Sequence, residues 1–210
     1  MKKFNCNYLA IIFFATSTII AEETEEIIAV ASYIESSELN ASPVDVISAE
    51  EFKNLRVSTV AELSKYLSIA SGSHFQTNAL DGVDQGMATI TLRGLDHAST
   101  LVLINKKRQT HSGTPSDEGE GYIDINIIPE IALERIEILK DGATSLYGSD
   151  AIAGVINFET FQQFDGMRFL LGSQKTSNYD QRDNTLGVMF GGKFWEGDYV
   201  LALSSLNKSS

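Results

Sequence analysis

The sequence predicts a small α+β domain over residues 43–160, and antiparallel strands from about residue 161 to the end at Ser210. Three observations carry this. Two helix-start signals, Ser48 with Glu51 and Thr59 with Glu62, lie among β-prone runs in the first region. Three glycines, Gly142, Gly148 and Gly154, punctuate the approach to one of those runs. Beyond Phe164 the apolar residues settle into strict alternation, the period of a strand with two unlike faces.

The N-terminus sets the compartment. Met1, Lys2 and Lys3 precede an uncharged, mostly apolar run from Tyr8 to Ile20, and an acidic stretch follows Ala21. This is the layout of a secretory signal peptide over residues 1–21. The run is about thirteen residues, short of the roughly 20 that a membrane-spanning helix needs. Cys6 is the only cysteine and lies before the apolar run, so the exported chain would have no disulfide and would depend on burial and backbone pairing. Two lysines and no acid lie in residues 1–21, so their removal moves the formal charge from -12 to -14. Such a balance argues against nucleic acid as a partner, because phosphates need a basic face.

Residues 22–42 are an acidic flank around one short apolar run, Ile27 to Val30, and cannot bury a core. From Pro43 the chain becomes compact. Val44 to Ile47 is a short β-prone run, and Ser48 with Glu51 caps a helix. Thr59 with Glu62 caps a second, which places Val60, Leu63 and Leu67 on one face. "ATITLRG", "TLVLIN" and "RIEILKD" read as strands, the last with Ile136 and Ile138 set imperfectly against Arg135, Glu137 and Leu139. Two long polar loops, "FQTNALDGVDQGM" and "RQTHSGTPSDEGEGY", interrupt the domain, and long loops in compact domains are functional or disordered. His111 with Asp117, Glu118 and Glu120 lacks the spacing of metal ligands.

The stretch "KDGATSLYGSDAIAGVINFET" opens with a turn at Asp141-Gly142, and "INF" is expected to begin a strand that leaves the domain. Its glycines are too far apart for a nucleotide loop, and no nucleophile elbow is present. No cofactor or metal is expected and no catalytic set emerges, which leaves a secreted hydrolase as a weak alternative.

After Phe164, Met167, Phe169 and Leu171 alternate with Arg168, Gly172 and Gln174. Leu186, Val188, Phe190 and Phe194 alternate with Thr185, Gly187, Gly191 and Lys193. Tyr199, Leu201 and Leu203 alternate with Val200, Ala202 and Ser204. The last two strands are joined by a tight link at Glu196-Gly197, and the first two by a long loop from Ser173 to Asn184. Phe194, Trp195 and Tyr199 cluster at the short-turn end. The pattern fits a transmembrane barrel with apolar residues outward, and equally an antiparallel sheet with one buried face.

The segments "SPVDVISAEEFKNL", "ITLRGLDHASTLVLINKKR" and "IPEIALERIEILKDGATSLYGSDAIAGVINF", with the strands that follow, resemble the plug domain and first barrel strands of TonB-dependent outer-membrane receptors. The resemblance implies an α+β plug domain with a small mixed sheet, followed by the first antiparallel strands of an incomplete transmembrane β-barrel. In that family the plug sits inside a barrel of about twenty-two strands. "EEIIAVAS" is similar to the TonB box, which implies that Glu26, Ile27, Ile28, Ala29, Val30 and Ala31 contact the coupling protein TonB, itself driven by an inner-membrane energising complex.

Capture of a small-molecule nutrient would fall to the apical loops, with Gln76, Asn78, Asp81, Gln109 and His111 as candidates. No reaction is implied. The glycine-rich stretch would carry the chain from plug to wall, Leu146, Tyr147 and Ile152 would pack the plug core, and Arg93 would lie near the plug and wall boundary. Asn105-Lys106 stands where relatives commonly carry Asn-Gly, so a turn of another type is expected. About 50 residues follow the plug, where a closed barrel takes on the order of 400. The expectation is therefore a fragment, a truncated product or one part of a split receptor, located in the outer membrane. A chain ending at Ser210 would instead be periplasmic, and a soluble, plug-like binding protein of the periplasm is the alternative.

Overall fold

The computed structural model describes residues 44–55, 57, 59–73, 86–116, 119–175, 182–195 and 197–209. Among the described residues, eight strands form two sheets. The first has the order β1-β4-β5-β2-β3, built from β1 (Val44–Ser48), β2 (Thr100–Ile104), β3 (Lys107–Arg108), β4 (Leu133–Leu139) and β5 (Gly154–Thr160). It is mixed: β2 and β5 are parallel, and the other pairs are antiparallel. The second is an antiparallel sheet of β6 (Gly166–Lys175), β7 (Arg182–Phe194) and β8 (Gly197–Ser209).

The helix-start signals act as expected. Ser48 ends β1 and caps α1 (Ala49–Asn54), its Oγ accepting from Glu51 N at 3.2 Å while the Glu51 carboxylate accepts from Ser48 N at 2.8 Å. Thr59 Oγ1 accepts from Glu62 N at 3.3 Å, although the turn it caps, Val60–Lys65, is a 3-10 helix. Its Val60 and Leu63 are buried, and Leu67 packs on the same cluster.

The first sheet has an apolar cluster on each face. Ile136, Ile138, Ile156, Phe158 and Val102 meet Phe52, Val60, Leu63 and Leu92 on one side. Leu101, Leu103, Leu139 and Val155 meet Ala143 and Ala151 on the other. The imperfect alternation of β4 is thereby explained: it lies between β1 and β5, and Leu139 is apolar because a second, smaller core covers its face.

Several expectations are corrected. "ATITLRG" makes only an isolated bridge at Thr89, although residues 88 to 92 are all buried. Its amides are satisfied by side chains and turns instead of a ladder: Thr91 N donates to Ser73 Oγ at 3.0 Å, Leu92 N to Thr100 Oγ1 at 2.9 Å and Arg93 N to Ile69 O at 2.7 Å. "INF" does not leave the domain. It lies in β5 at the centre of the sheet, with Ile156, Asn157 and Phe158 at 0% exposure. Gly154 opens that strand because a Cβ there would overlap the Leu139 carbonyl and come within 2.8 Å of Leu92 Cδ1.

Leu146 and Ile152 are exposed and do not pack the core, while Tyr147 joins the smaller cluster. Asn105 (φ 51°) and Lys106 (φ 62°) both adopt the positive angles that a type I′ turn requires, despite the lysine. The turn is held from outside: Lys106 N donates to Asn157 Oδ1 at 2.9 Å, and Thr160 N donates to Asn105 Oδ1 at 2.8 Å. In the second sheet, Ser173 and Asn184 are ladder partners, so the expected loop between them is shorter, and Phe194 pairs with Gly197, which moves the reversal to positions 195–196.

Candidate functional site

The second sheet has two unlike faces. Register places Met167, Phe169 and Leu171 opposite Phe190, Val188 and Leu186, and Phe190 and Val188 opposite Leu201 and Leu203. Most of this face is open, Leu171 at 80% and Phe169 at 64%. The other face carries Gly187, Met189 and Gly191 on β7 and turns toward the first domain. A 3-10 turn, Glu130–Ala132, touches all three strands. Ile131 fits over Gly187, where a Cβ would lie 3.3 Å from Ile131 Cβ. Met189, absent from the expected inward set, is completely buried there. Its apolar side chain hid its face, and only its place between Gly187 and Gly191 reveals it.

The crossover from the first sheet to the second is the segment after Thr160. Phe161 N donates to Ala132 O at 3.0 Å. The Arg168 guanidinium lies 4.6 Å from the Phe161 ring centroid and 5.1 Å from that of Phe164. At Gly191 a Cβ would stand 2.5 Å from Phe164 O and 2.8 Å from Tyr199 O, so the crossover is laid directly on β7. The passage therefore begins seven residues later than the glycines suggest, beyond β5. Arg93 donates to Lys140 O and, at 3.1 Å, to Asp141 Oδ1, pinning the turn that opens the glycine-rich stretch.

Of the candidate nutrient contacts, the structure brings Gln109 and His111 to one cavity of about 40 Å³, shared with His97, Arg108, Tyr122 and Asp150. Arg108 Nη1 donates to Asp150 Oδ2 at 2.6 Å and Arg108 also donates to the Tyr147 carbonyl, which ties β3 to the glycine-rich segment. The hydrogen bond from Arg108 holds the Asp150 carboxyl below the usual carboxylate range, with Ser149 adding to the effect. The cavity has room for water and not for a nutrient. Gln76, Asn78, Asp81 and the run Glu26 to Ala31 lie outside the described residues. Arg108, Asp150 and His97 were not singled out from sequence, since nothing local links positions so far apart.

The five-stranded mixed sheet thus lies, through the turn Glu130–Ala132, against one face of three antiparallel strands whose opposite face is apolar and largely open. Residues 37–155 match the family described as TonB-dependent Receptor Plug Domain, and the chain belongs to that family. It is 32% identical over 143 residues to an iron-regulated outer membrane virulence protein of Vibrio cholerae, covering 67% of this chain and 21% of that protein. It is 31% identical over 142 residues to the vitamin B12 transporter BtuB of Vibrio vulnificus, covering 61% and 22% respectively. The chain thus spans about a fifth of the length of these relatives. Among solved structures, the siderophore receptor PirA from Acinetobacter baumannii superposes with a TM-score of 0.57 at 25% identity, over 78% of this chain and 24% of that one. A ferric enterobactin receptor (PfeA) mutant from Pseudomonas aeruginosa gives 0.62 at 20% identity, over 81% and 25%, and shows the fold alone.

Proposed function

We propose that this chain is the plug and the first wall strands of an outer-membrane receptor that captures a scarce nutrient and imports it with energy delivered through TonB. The observation that carries the reading is the seating of Ile131 and Met189 between a plug sheet and strands with an apolar outer face. A soluble protein would gain nothing from leaving Met167, Phe169, Leu171 and Leu203 in water. In this reading residues 1–21 are a leader removed on export, 22–42 carry the TonB box and linker, 43–160 are the plug, and 161–210 begin the wall. Glu26 to Ala31 pair with TonB as an added strand, because a β-prone segment binds through its backbone. Gln76, Asn78, Asp81, Gln109 and His111 meet the nutrient from the plug side. That nutrient is of the class named for the relatives, a metal chelate such as a ferric siderophore or a cobalamin.

The test is direct. A peptide spanning Glu22 to Ser36 is titrated against the TonB C-terminal domain, alone and with Ile28→Pro, which removes a backbone donor. Binding by the first and weaker binding by the second is expected. No binding, or equal binding, rejects the box, and recovery of the exported protein in the soluble periplasmic fraction rejects the membrane location.

A further inference from the structure

Glu130 is the first residue of the turn that touches all three wall strands, and its side chain lines the clefts on both sides of that contact. No hydrogen bond or ion pair to its carboxylate occurs among the described residues. We propose that Glu130 is a proton-operated latch between plug and wall, seating the plug against β6–β8 when neutral and loosening that seam when ionised. The inference rests on 166–209 being wall strands.

The surroundings of Glu130 favour the neutral form. From the 60–65 turn comes Glu62, 8% exposed and paired with Lys65 at 3.2 Å. From α1 come Glu50 and Lys53, and from β6 Arg168, whose guanidinium stacks on Phe161 and Phe164. The facing positions of β7 and β8 are Thr185, Ser204, Ser205 and Leu206, all uncharged, with the acid Asp183 two residues beyond Thr185. An ionised Glu130 therefore adds a negative charge near Glu62 at a partly buried position. A neutral Glu130 brings a hydroxyl donor to the cleft of about 140 Å³ that Asn126 also lines, and Asn126 carries a buried Oδ1 without a partner among the described residues. Burial, and then the charge of Glu62, push the carboxyl up from 4.5 to about 7. The sign follows: the seated state holds the proton more tightly, so its advantage is complete below about pH 4.5 and is lost as pH rises through about 7.

The test uses the full chain in detergent micelles, with Cys6→Ser and spin labels at Tyr66→Cys on the plug and Lys193→Cys on β7. The expected result is one label-to-label distance at acid pH and a second, longer one that grows in with a midpoint near neutrality. Glu130→Gln should keep the short distance throughout. A pH-independent distance in the parent overturns the proposal, as does an unchanged midpoint in Glu130→Gln. If that variant fails to fold, carbon-13 titration of the Glu130 carboxyl in the parent decides, and a midpoint in the ordinary carboxylate range overturns the proposal. A chain that proves soluble and monomeric without detergent would reject the wall reading while leaving the distance measurement valid.

Discussion

The plug sheet and the wall strands are both β-rich and apolar, yet they use their apolar residues in opposite senses. In the plug, β4 and β5 bury Ile136, Ile138, Val155, Ile156 and Phe158 at 0% exposure. In the wall, Met167, Leu171 and Leu203 stand 69%, 80% and 62% open, and Met189 is the one large apolar side chain in the described wall residues that is fully enclosed. The plug therefore draws its stability from its own interior. The three wall strands have only a narrow seam at Glu130–Ala132 to draw on, and in the proposed reading lipid covers their open face.

The largest expected effect follows from this contrast. Ile156→Ala empties part of the main cluster and should cost about 2–5 kcal/mol of plug stability, read by urea unfolding of the chain in detergent. Leu203→Ala should leave that transition unmoved. The wall's own sensitivity should appear only in lipid: Leu203→Lys should weaken membrane partitioning by about 2–4 kcal/mol if the position lies near mid-bilayer. If Leu203→Ala lowers plug stability as Ile156→Ala does, the two regions share one core and the contrast fails.

Gly191 sharpens the boundary between the regions. A methyl there meets the Phe164 and Tyr199 carbonyls, backbone atoms that cannot rotate away. Gly191→Ala should cost about 1–3 kcal/mol by displacing the crossover and the β7–β8 pairing. Amide exchange should then rise from Phe161 to Asp165 and along β8, while β4 and β5 keep their protection. Loss of protection in β5 would mean that the plug depends on the wall for its fold. Arg168→Ala should act on the same segment more gently, by about 1–2 kcal/mol, because it removes one cation over two rings. Its effect should be smaller in a Gly191→Ala background, since both changes loosen the same five residues.

These boundaries also divide what could be read from the sequence. Helix caps were legible because they are local: Ser48 needs only Glu51 three residues on. The two-faced pattern of β6–β8 was legible because its period is two and its register follows from it. The missed features are all set by partners distant in sequence. "ATITLRG" has strand propensity, but its neighbours offer Ser73 and Thr100 hydroxyls in place of a strand, and no propensity scale contains that. Lys106 tolerates a positive φ because Asn157 and Glu159, some fifty residues away, hold its amide and its ammonium, the latter at 3.4 Å. β5 looked like an exit because it follows the glycines, whereas it is the strand that β2 and β4 both require. Gln109 and His111 do share a cavity, but its walls come from Arg108 and Asp150, linked across 42 residues.

The smallest effect tests the edge of the plug, where β1 has one neighbour and five ladder positions. Ser48→Ala removes the hydroxyl that accepts from Glu51 N and should cost about 1 kcal/mol. Because Ser48 is both the last residue of β1 and the cap of α1, the loss should appear as faster amide exchange in β1 and α1, with β4 and β5 unaffected. The same cap has a pH signature. The backbone N–H of Ser48, and then its hydroxyl, hold the Glu51 carboxyl below its ordinary value of 4.5. A carboxylate with a lowered folded value stabilises above 4.5 and loses that contribution as pH falls through the folded value, the opposite sense to Glu130. Protection of α1 should therefore weaken on acidification below about pH 4.5, and Glu51→Gln should flatten that dependence while keeping part of the cap. If the α1 protection factors, taken relative to intrinsic exchange at each pH, are equal at pH 3 and pH 6, the capping carboxylate does not hold the plug's first helix, and the anchorage of that edge falls to the β1 and β4 ladder alone.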